Sequence, residues 1–318
     1  MSCLVGVSIV NYKTAPLVVE CLNALSQHVD SNSSVQVCVV DNLSPDDSVD
    51  ILSNAIEANQ WQSWVTLLPA PKNGGFSYGN NLAITHLQSL HCDYFWLLNP
   101  DTRPIEGSLT ALIDYLNQHP SVGVVGSQLT DPDGTEQISA FHYPKPWGEF
   151  VDGCSVGAVA KLFPKYVVAS YTANAHGHVD WVAGASMLIR KSVIEQVGLM
   201  DERYFLYFEE VDYCRKIQSS GFQIHFVPDS RVIHLVGAAT GISDMRRKRP
   251  RTPGYWFESR RRYFRQNFGI MGAGMADICW LLGHVVKRLK MLVKGAPNNE
   301  PPKFLTDFLL HSTLNPFK

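Results

Sequence analysis

The feature of this sequence that most constrains its fold is a regular alternation of apolar runs and helix-like segments over residues 1–130. Four runs are mostly apolar, as expected of strands buried on both faces, and they cover residues 5–10, 35–40, 65–68 and 94–98. Segments with helical periodicity separate them, and a further strand is predicted at residues 122–125. This alternation predicts a Rossmann-like α/β fold, with an open, mostly parallel sheet and helices on both faces.

The composition is that of a folded globular protein, with 45% hydrophobic and 18% charged residues, which excludes a largely disordered chain. Seven cysteines are scattered without a Cys-x-x-Cys pair. Their spacing favours reduced thiols in a cytosolic compartment over a disulfide framework or a zinc site. The first residues carry no positive charge ahead of their apolar run, so we expect no signal peptide.

Polar and glycine residues follow three of the predicted strands, where ligands of a parallel sheet bind. They are Asp41 and Asn42; Asn73, Gly74 and Gly75, which lead into a helix carrying Asn81; and Asn99 and Asp101. A strand-end carboxylate can bind a nucleobase, a ribose or a divalent cation, and a glycine turn lets backbone N–H groups approach phosphates. Each motif alone is also consistent with helix capping or turn formation.

A second set of polar, aromatic and small residues lies in the later part of the chain. It consists of Trp181, Gly184, Ala185, Glu209, Glu210, Asp212 and His234. The first three can line an acceptor site or simply allow close packing. The carboxylates open a helix, where acidic residues often stabilise the dipole, but aromatic residues precede them, and a carboxylate in a partly dry cleft can act as a base. A lone histidine is more often structural than a ligand.

The order of these motifs resembles the family-two glycosyltransferases with the GT-A fold, and within them the rhamnosyltransferase-like members that build bacterial cell-surface polysaccharides. Two stretches carry most of the likeness: residues 73–81, Asn-Gly-Gly-Phe-Ser-Tyr-Gly-Asn-Asn, and residues 205–214, Phe-Leu-Tyr-Phe-Glu-Glu-Val-Asp-Tyr-Cys. The resemblance spans roughly residues 5–240. It implies a metal-dependent, inverting enzyme that uses a nucleotide sugar.

The family pattern implies a role for each matching residue. Donor binding is implied for Asp41, Asn42, Asn73, Gly74, Gly75, Asn81 and Asn99, and acceptor binding for Trp181, Gly184, Ala185 and Glu209. Asp101 and His234 match ligands of Mg²⁺ or Mn²⁺, and Glu210 matches the catalytic base. Two positions depart from the pattern: Asn99 replaces the first Asp of an Asp-x-Asp motif, and Glu210 stands where Asp is more usual.

Helical spacing predicts which of these carboxylates faces the cleft. Residues three and four apart share a helix face, which aligns Glu210 with Cys214 and Ile217 on an apolar stripe, and Glu209 with Asp212 on a polar one. We therefore expect Glu210 to point inward and act as the base, and Glu209 to face water.

The charge is distributed unevenly along the chain. Residues 1–245 hold 12 Lys and Arg against 25 Asp and Glu, whereas residues 246–318 hold 15 against 4. Apolar residues from 278 to 292 recur at helical spacing between basic ones, which is typical of an amphipathic helix at a membrane interface, and also of a soluble helix packed on its own domain. The apolar stretch 270–286 is short for a span and contains Asp277 and His284, which argues against a transmembrane helix.

We predict a catalytic domain over residues 1–245, with a nucleotide-sugar half to about residue 130 and an acceptor half over 131–245. A basic helical tail over 246–318 would associate with the inner face of the cell membrane, on a cytoplasmic, peripheral protein. The expected partners are a dTDP- or UDP-linked donor, with rhamnose favoured by the resemblance, and a lipid-linked glycan acceptor.

Two other functions compete with a transferase. A nucleotidyltransferase needs a glycine-rich, basic loop after the first strand, but residues 11–16 contain no glycine. A non-catalytic sugar- or nucleic-acid-binding protein fits the basic and aromatic residues of 246–265, but it leaves the strand-end acids unexplained. We expect no nucleic-acid partner.

Overall fold

The computed structural model describes residues 4–28, 34–155, 157–169, 176–235, 250–295, 297–298, 300–315 and 317. The basic run 246–249, part of the predicted membrane-binding tail, lies outside the described residues. The chain divides into two compact units. The first comprises Met1–Ala140, Tyr171–Phe205 and Glu209–Ser243, and the second comprises Phe141–Ser170, Leu206–Phe208 and Asp244–Lys318.

The elements follow one another in the order that the sequence periodicity indicated. The first are β1 (Leu4–Asn11), α1 (Ala15–His28), β2 (Ser34–Asp41), α2 (Ser48–Ala58), β3 (Val65–Pro69), α3 (Gly75–Ser89), β4 (Tyr94–Leu98), β5 (Thr102–Pro104), α4 (Ser108–Gln118), β6 (Val122–Thr130) and β7 (Ala140–Phe141). Then come α5 (Gly148–Cys154), α6 (Gly157–Leu162), a 3₁₀ helix (Pro164–Tyr166), β8 (Gly177–His178), β9 (Trp181–Val182), β10 (Ser186–Arg190) and α7 (Lys191–Val197). The last are α8 (Glu209–Ser219), β11 (Gln223–His234), α9 (Gly254–Lys294) and α10 (Phe304–His311).

The first unit is built on a mixed, mostly parallel sheet with the strand order β3-β2-β1-β4-β10-β6-β11-β5, and β8 pairs with β11. Strands β1 to β4 run parallel, as do β6 and β11, whereas β10, β5 and β8 are antiparallel to their neighbours. Every residue of β4 and β6 is buried, which requires cover on both faces of the sheet. The predicted fold class is confirmed.

The sheet order brings the polar strand ends together. Asn11 and Asp41 are register partners at the carboxyl ends of β1 and β2, Asp41 is the partner of Pro69 at the end of β3, and β4 ends beside β1. The residues that follow β2, β3 and β4 therefore gather at one edge of the sheet, as the sequence indicated.

The structure divides or joins three stretches in ways that the hydrophobic pattern does not indicate. Residues 182–189 form two strands, β9 and β10, because β9 pairs with β7 in a separate two-stranded sheet while β10 lies in the main sheet. Residues 223–234 form one strand, β11, which has a register shift between Val227 and Arg231. The stretch between β7 and β8 contains the helices α5 and α6.

The second unit takes residues 141–170 as well as the C-terminal region, so it is larger than the tail predicted from residue 246. The reason is close packing of α5 on α9. A Cβ added at Gly153 would lie 2.4 Å from the Trp280 carbonyl oxygen, and one added at Gly283 would lie 2.3 Å from the Phe150 carbonyl oxygen. Helix α9 is broken at Gly269, whose φ of 68° and ψ of −179° are non-helical.

A buried ionic cluster lies inside the second unit. Arg260, which is 4% exposed, donates to Glu149 at 2.6 and 3.0 Å and to Asp277 at 2.6 Å. Its guanidinium also lies over the rings of Phe264 and Phe308. Although Arg260 lies in the basic tail predicted over residues 246–318, it is not available to an outside partner, because two carboxylates of its own unit bind it.

Helix α9 beyond Gly269 and helix α10 leave many apolar side chains exposed. The most exposed are Met271 at 90%, Val293 at 88% and Leu292 at 78%, and α10 adds Leu309 and Leu310. Among the described residues, α9 is the helix long and apolar enough to cross a membrane, and 39% of its most apolar window is buried inside the protein.

Candidate active site

Asp41 is held in place by several hydrogen bonds at the end of β2. Its carboxylate is 1% exposed. Oδ1 accepts hydrogen bonds from Asn11 Nδ2 at 2.6 Å and from Ser44 Oγ at 2.7 Å, and Oδ2 accepts one from the Ser44 N–H at 2.9 Å. Asn11 is oriented in turn by Thr14, whose N–H and hydroxyl both donate to Asn11 Oδ1. The sequence pointed to Asp41 but not to Asn11, Thr14 or Ser44, since polar residues near strand ends and turns carry no distinguishing signal.

Asn42 connects the end of β2 to the glycine turn before α3. Its Nδ2 donates to the Gly75 carbonyl at 2.8 Å, and the Gly75 N–H donates to Asn73 Oδ1 at 3.1 Å. Gly75 has a φ of +84°, and a Cβ there would lie 1.9 Å from the Phe205 carbonyl oxygen, so a larger residue is excluded. The same carbonyl accepts the Phe76 N–H at 2.8 Å. The predicted donor residues of β2 and of this turn therefore form one hydrogen-bonded group.

Two other predicted donor residues have visible packing roles. Gly74 lies against Tyr78, because an added Cβ would be 2.3 Å from the Tyr78 ring. Asn81 is buried, its Nδ2 donates to the Met200 carbonyl at 2.9 Å and to Glu202 Oε1 at 3.0 Å, and its Oδ1 accepts the Met200 N–H at 3.0 Å. Asn81 therefore braces the loop after α7, and the donor contact that the family pattern implies for it stays a prediction.

Asp101 directly precedes β5 and lies close to His234, the last residue of the neighbouring strand β11. The Nε2 atom of His234 is 3.5 Å from Oδ1 of Asp101, whose side chain is buried. Gln137 fixes the ring: its Oε1 is 3.0 Å from Nδ1 of His234, while its Nε2 donates to the His234 carbonyl and to Asp131. Because the amide nitrogen is used by two acceptors, Oε1 faces the ring, and Nδ1 carries the proton. Nε2 then presents a lone pair toward the carboxylate.

This pair fits two ligands of a small divalent cation. A histidine that binds a metal usually donates its other ring N–H to an oxygen, as His234 does to Gln137. Two ligands at about 2.1 Å from a metal lie about 3 Å apart when at right angles, which is close to the 3.5 Å observed. The described residues contain no group of three or more such side chains, so further ligands would have to come from substrate and water.

Gly184 and Ala185 lie between the end of β4 and the start of α8. The Asn99 N–H donates to the Ala185 carbonyl at 3.2 Å. A Cβ added at Gly184 would lie 3.3 Å from the Phe76 ring and 3.8 Å from Cβ of Glu210. The absence of a side chain at Gly184 therefore leaves space beside Glu210. Trp181, the other predicted acceptor residue, lies half-buried in β9.

Glu209 and Glu210 open α8 in a poorly solvated environment. Glu209 is 4% exposed and Asp212 is 6% exposed, so the prediction that they form a water-facing stripe is wrong. The reason is that α8 packs against β9, β11 and α7, and so is covered on more than one side. Glu210 is half-buried, and Cys214 and Ile217 are buried as predicted.

The electrostatics of these two carboxyl groups follow from their burial. Desolvation raises the pKa of Glu210, and it raises the pKa of Glu209 further because the charge of Glu210 adds to it. The Oε2 atom of each is buried without a hydrogen-bond partner among the described residues. A buried acceptor left unpaired is costly in a resting protein, so each oxygen is suited to receive a proton from a bound group.

The aromatic residues before α8 are arranged differently from the dry cleft that the sequence suggested. Tyr204 is fully buried and Phe205 is 36% exposed. Tyr207 and Phe208 belong to the second unit, where their rings pack on residues of α9.

Comparison with known proteins places these residues in a family. The family model described as "Glycosyltransferase like family 2" matches residues 4–269. An N-acetylglucosaminyl-diphospho-decaprenol L-rhamnosyltransferase of Mycobacterium tuberculosis is 30% identical over 190 residues, which is 56% of this chain and 61% of that protein. The rhamnosyltransferase WbbL of Escherichia coli strain K12 is 27% identical over 50% of this chain and 60% of its own length. The matched region thus spans about 60% of these relatives.

A solved structure has the same fold. The mannosyltransferase PcManGT of Pyrobaculum calidifontis, in complex with GDP-Man and Mn²⁺, superposes with a TM-score of 0.58 at 15% sequence identity over 96% of this chain and 79% of that one. This likeness shows the GT-A fold, and the family match favours a transferase over the two alternative functions. The chain belongs to the glycosyltransferase like family 2, as the order of its motifs indicated.

Proposed function

We propose that this protein transfers a sugar from a nucleoside-diphosphate sugar to an acceptor hydroxyl, with inversion at the anomeric carbon and Glu210 as the base. The observation that carries the proposal is the buried, unpaired Oε2 of Glu210, next to the space that Gly184 leaves open. A carboxylate with a pKa raised by desolvation is a stronger base than one in water.

The nucleotide sugar would bind at the carboxyl ends of strands β1 to β4. Asp41, held by Asn11 and Ser44, would accept hydrogen bonds from the nucleobase or ribose. Asn42 and the turn at Asn73 and Gly75 would bind the nucleoside-diphosphate part, because backbone N–H groups at the start of a helix attract phosphate.

Asp101 and His234 would hold Mg²⁺ or Mn²⁺, together with diphosphate oxygens and water. When bound, the cation supplies positive charge that stabilises the departing diphosphate. Gln137 keeps His234 in the tautomer and orientation required. Asn99, at the end of β4, would face the donor and not the cation.

On the acceptor side, Glu210 would remove the proton of the hydroxyl as its oxygen attacks the anomeric carbon. The bond from that carbon to the diphosphate oxygen breaks, and the configuration inverts. Trp181, Gly184, Ala185 and Glu209 would line the acceptor. Glu209 would be neutral in this arrangement, since burial and the neighbouring charge both disfavour its ionised form.

Rhamnose is the sugar we favour, with a dTDP- or UDP-linked donor, and the acceptor we favour is a lipid-linked glycan. Support comes from two relatives that are rhamnosyltransferases, one of them named for an N-acetylglucosaminyl-diphospho-decaprenol substrate. The rhamnosyltransferase assignment agrees with the family resemblance of residues 73–81 and 205–214.

We also propose that the protein acts on the inner membrane surface as a peripheral protein. The support is the exposed apolar side of α9 beyond Gly269 and of α10, exemplified by Leu289 at 57% and Leu292 at 78% exposure. Lys290 and Lys294 are exposed beside them, which is the pattern of an interfacial helix. Asp277 is buried and bonded to Arg260 within the unit, which favours surface attachment over a span.

The test is a transfer assay on the purified full chain. The protein is incubated with Mn²⁺, an N-acetylglucosaminyl diphospholipid and, in turn, dTDP-rhamnose, UDP-N-acetylglucosamine and GDP-mannose, and products are identified by mass spectrometry. The expected result is addition of one rhamnose, with an anomeric configuration opposite to that of the donor by NMR. Retained configuration, or no turnover of any nucleotide sugar, would contradict the proposal.

A further inference from the structure

The chain enters α8 through three residues, Leu206–Phe208, that we call the 206–208 strap. The strap belongs to the second unit, while Phe205 before it and Glu209 after it belong to the first. Phe205 is tied to the donor turn, because its carbonyl accepts the Phe76 N–H at 2.8 Å. The strap therefore joins the glycine turn directly to the two carboxylates that open α8.

Side chains from the first half of α9 hold each residue of the strap. Ser259 Oγ donates to the Leu206 carbonyl at 3.0 Å, and Ser259 is 3% exposed. The Tyr207 ring stacks on Tyr255, with centroids 6.2 Å apart and an interplanar angle of 23°.

Phe208 has two ring contacts on the same helix. Its ring centroid lies 5.5 Å from that of Tyr263 and 6.3 Å from that of Trp256. All three strap residues are thus bound by one helical segment before Gly269, through one hydrogen bond and three ring contacts.

The strap backbone has a conformation that its residue types disfavour. Tyr207 has a φ of 70° and Phe208 a φ of 67°, which lies in the left-handed region that bulky L-residues rarely adopt. Two such residues in succession persist only where their surroundings over-determine them, and strain of this kind is commonly found at functional sites. Here α9 provides the hydrogen bond and the ring contacts described above.

We propose that Tyr255, Trp256, Ser259 and Tyr263 are positioning residues for the reaction: by holding the strap in its left-handed conformation, they set where Glu209 and Glu210 begin α8. None of the four acts on the substrate itself. The inference rests on the proposed function, in which Glu210 is the base. It assigns to the first half of α9 a catalytic task distinct from the membrane role of its second half.

The test compares two variants of one residue. Phe208→Ala removes the ring contacts with Trp256 and Tyr263 but keeps the Cβ. The left-handed backbone conformation is then no longer held in place, yet it still costs free energy. Phe208→Gly removes the ring contacts and also the free-energy cost of the conformation, because glycine adopts positive φ readily. Ser259→Ala, which removes the bond to Leu206, tests the same idea without a change of ring packing.

The first measurement is nucleoside-diphosphate release from dTDP-rhamnose with Mn²⁺ and the N-acetylglucosaminyl diphospholipid acceptor. We expect Phe208→Ala to lower kcat by roughly 10- to 100-fold, since a displacement of about 1 Å at a reacting group can cost on the order of 10²-fold. The donor KM should stay nearly unchanged, Phe208→Gly should recover much of the loss, and Ser259→Ala should fall between. Phe308→Leu is the matched control, because Phe308 is a buried ring of the same unit that packs on Phe257, Trp280 and Arg260, and its kcat should be that of wild type.

The second measurement is hydrogen exchange of the peptide covering residues 205–214, which needs no substrate. Exchange should be fastest in Phe208→Ala and intermediate in Phe208→Gly. Equal kcat in the Ala and Gly variants, a kcat loss matched by Phe308→Leu, or unchanged exchange would overturn the positioning role. Absence of wild-type turnover would instead refute the proposed function, and the exchange result would still report on the strap.

Discussion

The side-chain amide of Gln137 contacts His234 at two points, 3.0 Å from the ring Nδ1 and 2.8 Å from the backbone carbonyl. The bond to the backbone carbonyl fixes the amide of Gln137 on β11. The imidazole therefore cannot rotate without breaking the bond between its Nδ1 and Oε1 of Gln137. The lone pair on Nε2 is thereby kept toward Asp101.

Gln137→Leu should leave the fold intact and weaken cation use. Loss of an oxygen that orients a metal-binding histidine typically costs about 10- to 100-fold in metal affinity. We therefore expect the Mn²⁺ concentration for half-maximal activity to rise by roughly that factor. Gln223→Leu, an exposed change on the same strand as His234, is the control. An unchanged Mn²⁺ requirement in Gln137→Leu would argue against His234 as a ligand.

Glu210→Gln should lose about 10²–10⁴ in kcat, the usual cost of removing a general base, while donor binding measured by calorimetry stays near wild type. Glu209→Gln should be milder, because a neutral Glu209 resembles glutamine in charge and hydrogen bonding. The reverse order of the two losses would move the base to Glu209, whose deeper burial the sequence did not indicate.

The stability of the second unit should fall as pH rises through about 7. Burial raises the pKa of Glu149 from 4.5 to about 7 despite Arg260, since one guanidinium faces two carboxylates. A raised folded-state pKa contributes stability that is complete below pH 4.5 and is lost above about pH 7, on the order of 3 kcal/mol for this shift. Urea unfolding of wild type and Glu149→Gln at pH 5 and pH 8 measures this change in the free energy of unfolding. Identical pH dependence in the two proteins would contradict the assignment.

Replacing Leu289 and Leu292 together by Ser should weaken binding to anionic liposomes. Burial of a Leu side chain is worth about 1.5–3 kcal/mol, so we expect roughly a tenfold loss per residue in a sedimentation assay. Deleting residues 246–318 is a poorer test, because it removes Arg260 and the helix that packs on α5. Leu162→Ser, at a position that is 73% exposed on α6, is the control. Undiminished binding of the double variant would refute the membrane role of α9.

The mostly apolar runs and their alternation with helical segments were sufficient to predict the sheet, because strands buried on both faces are typical of parallel sheets. Side-chain partners distant in sequence could not be predicted. Gln137 lies 97 residues before His234, and Glu149 lies 111 before Arg260. The exposure of Glu209 was mispredicted because helical spacing assumes a single buried face, whereas α8 is covered by three elements.

The most direct test of metal-dependent transfer is nucleoside-diphosphate release from dTDP-rhamnose, with the N-acetylglucosaminyl diphospholipid acceptor present, by wild type and Asp101→Ala, each with Mn²⁺ and with excess EDTA. We predict turnover by wild type with Mn²⁺ only, and none by Asp101→Ala in either condition, because the strand-end carboxylate is required to hold the cation against the diphosphate. Full wild-type turnover in EDTA, or normal turnover by Asp101→Ala, would contradict it.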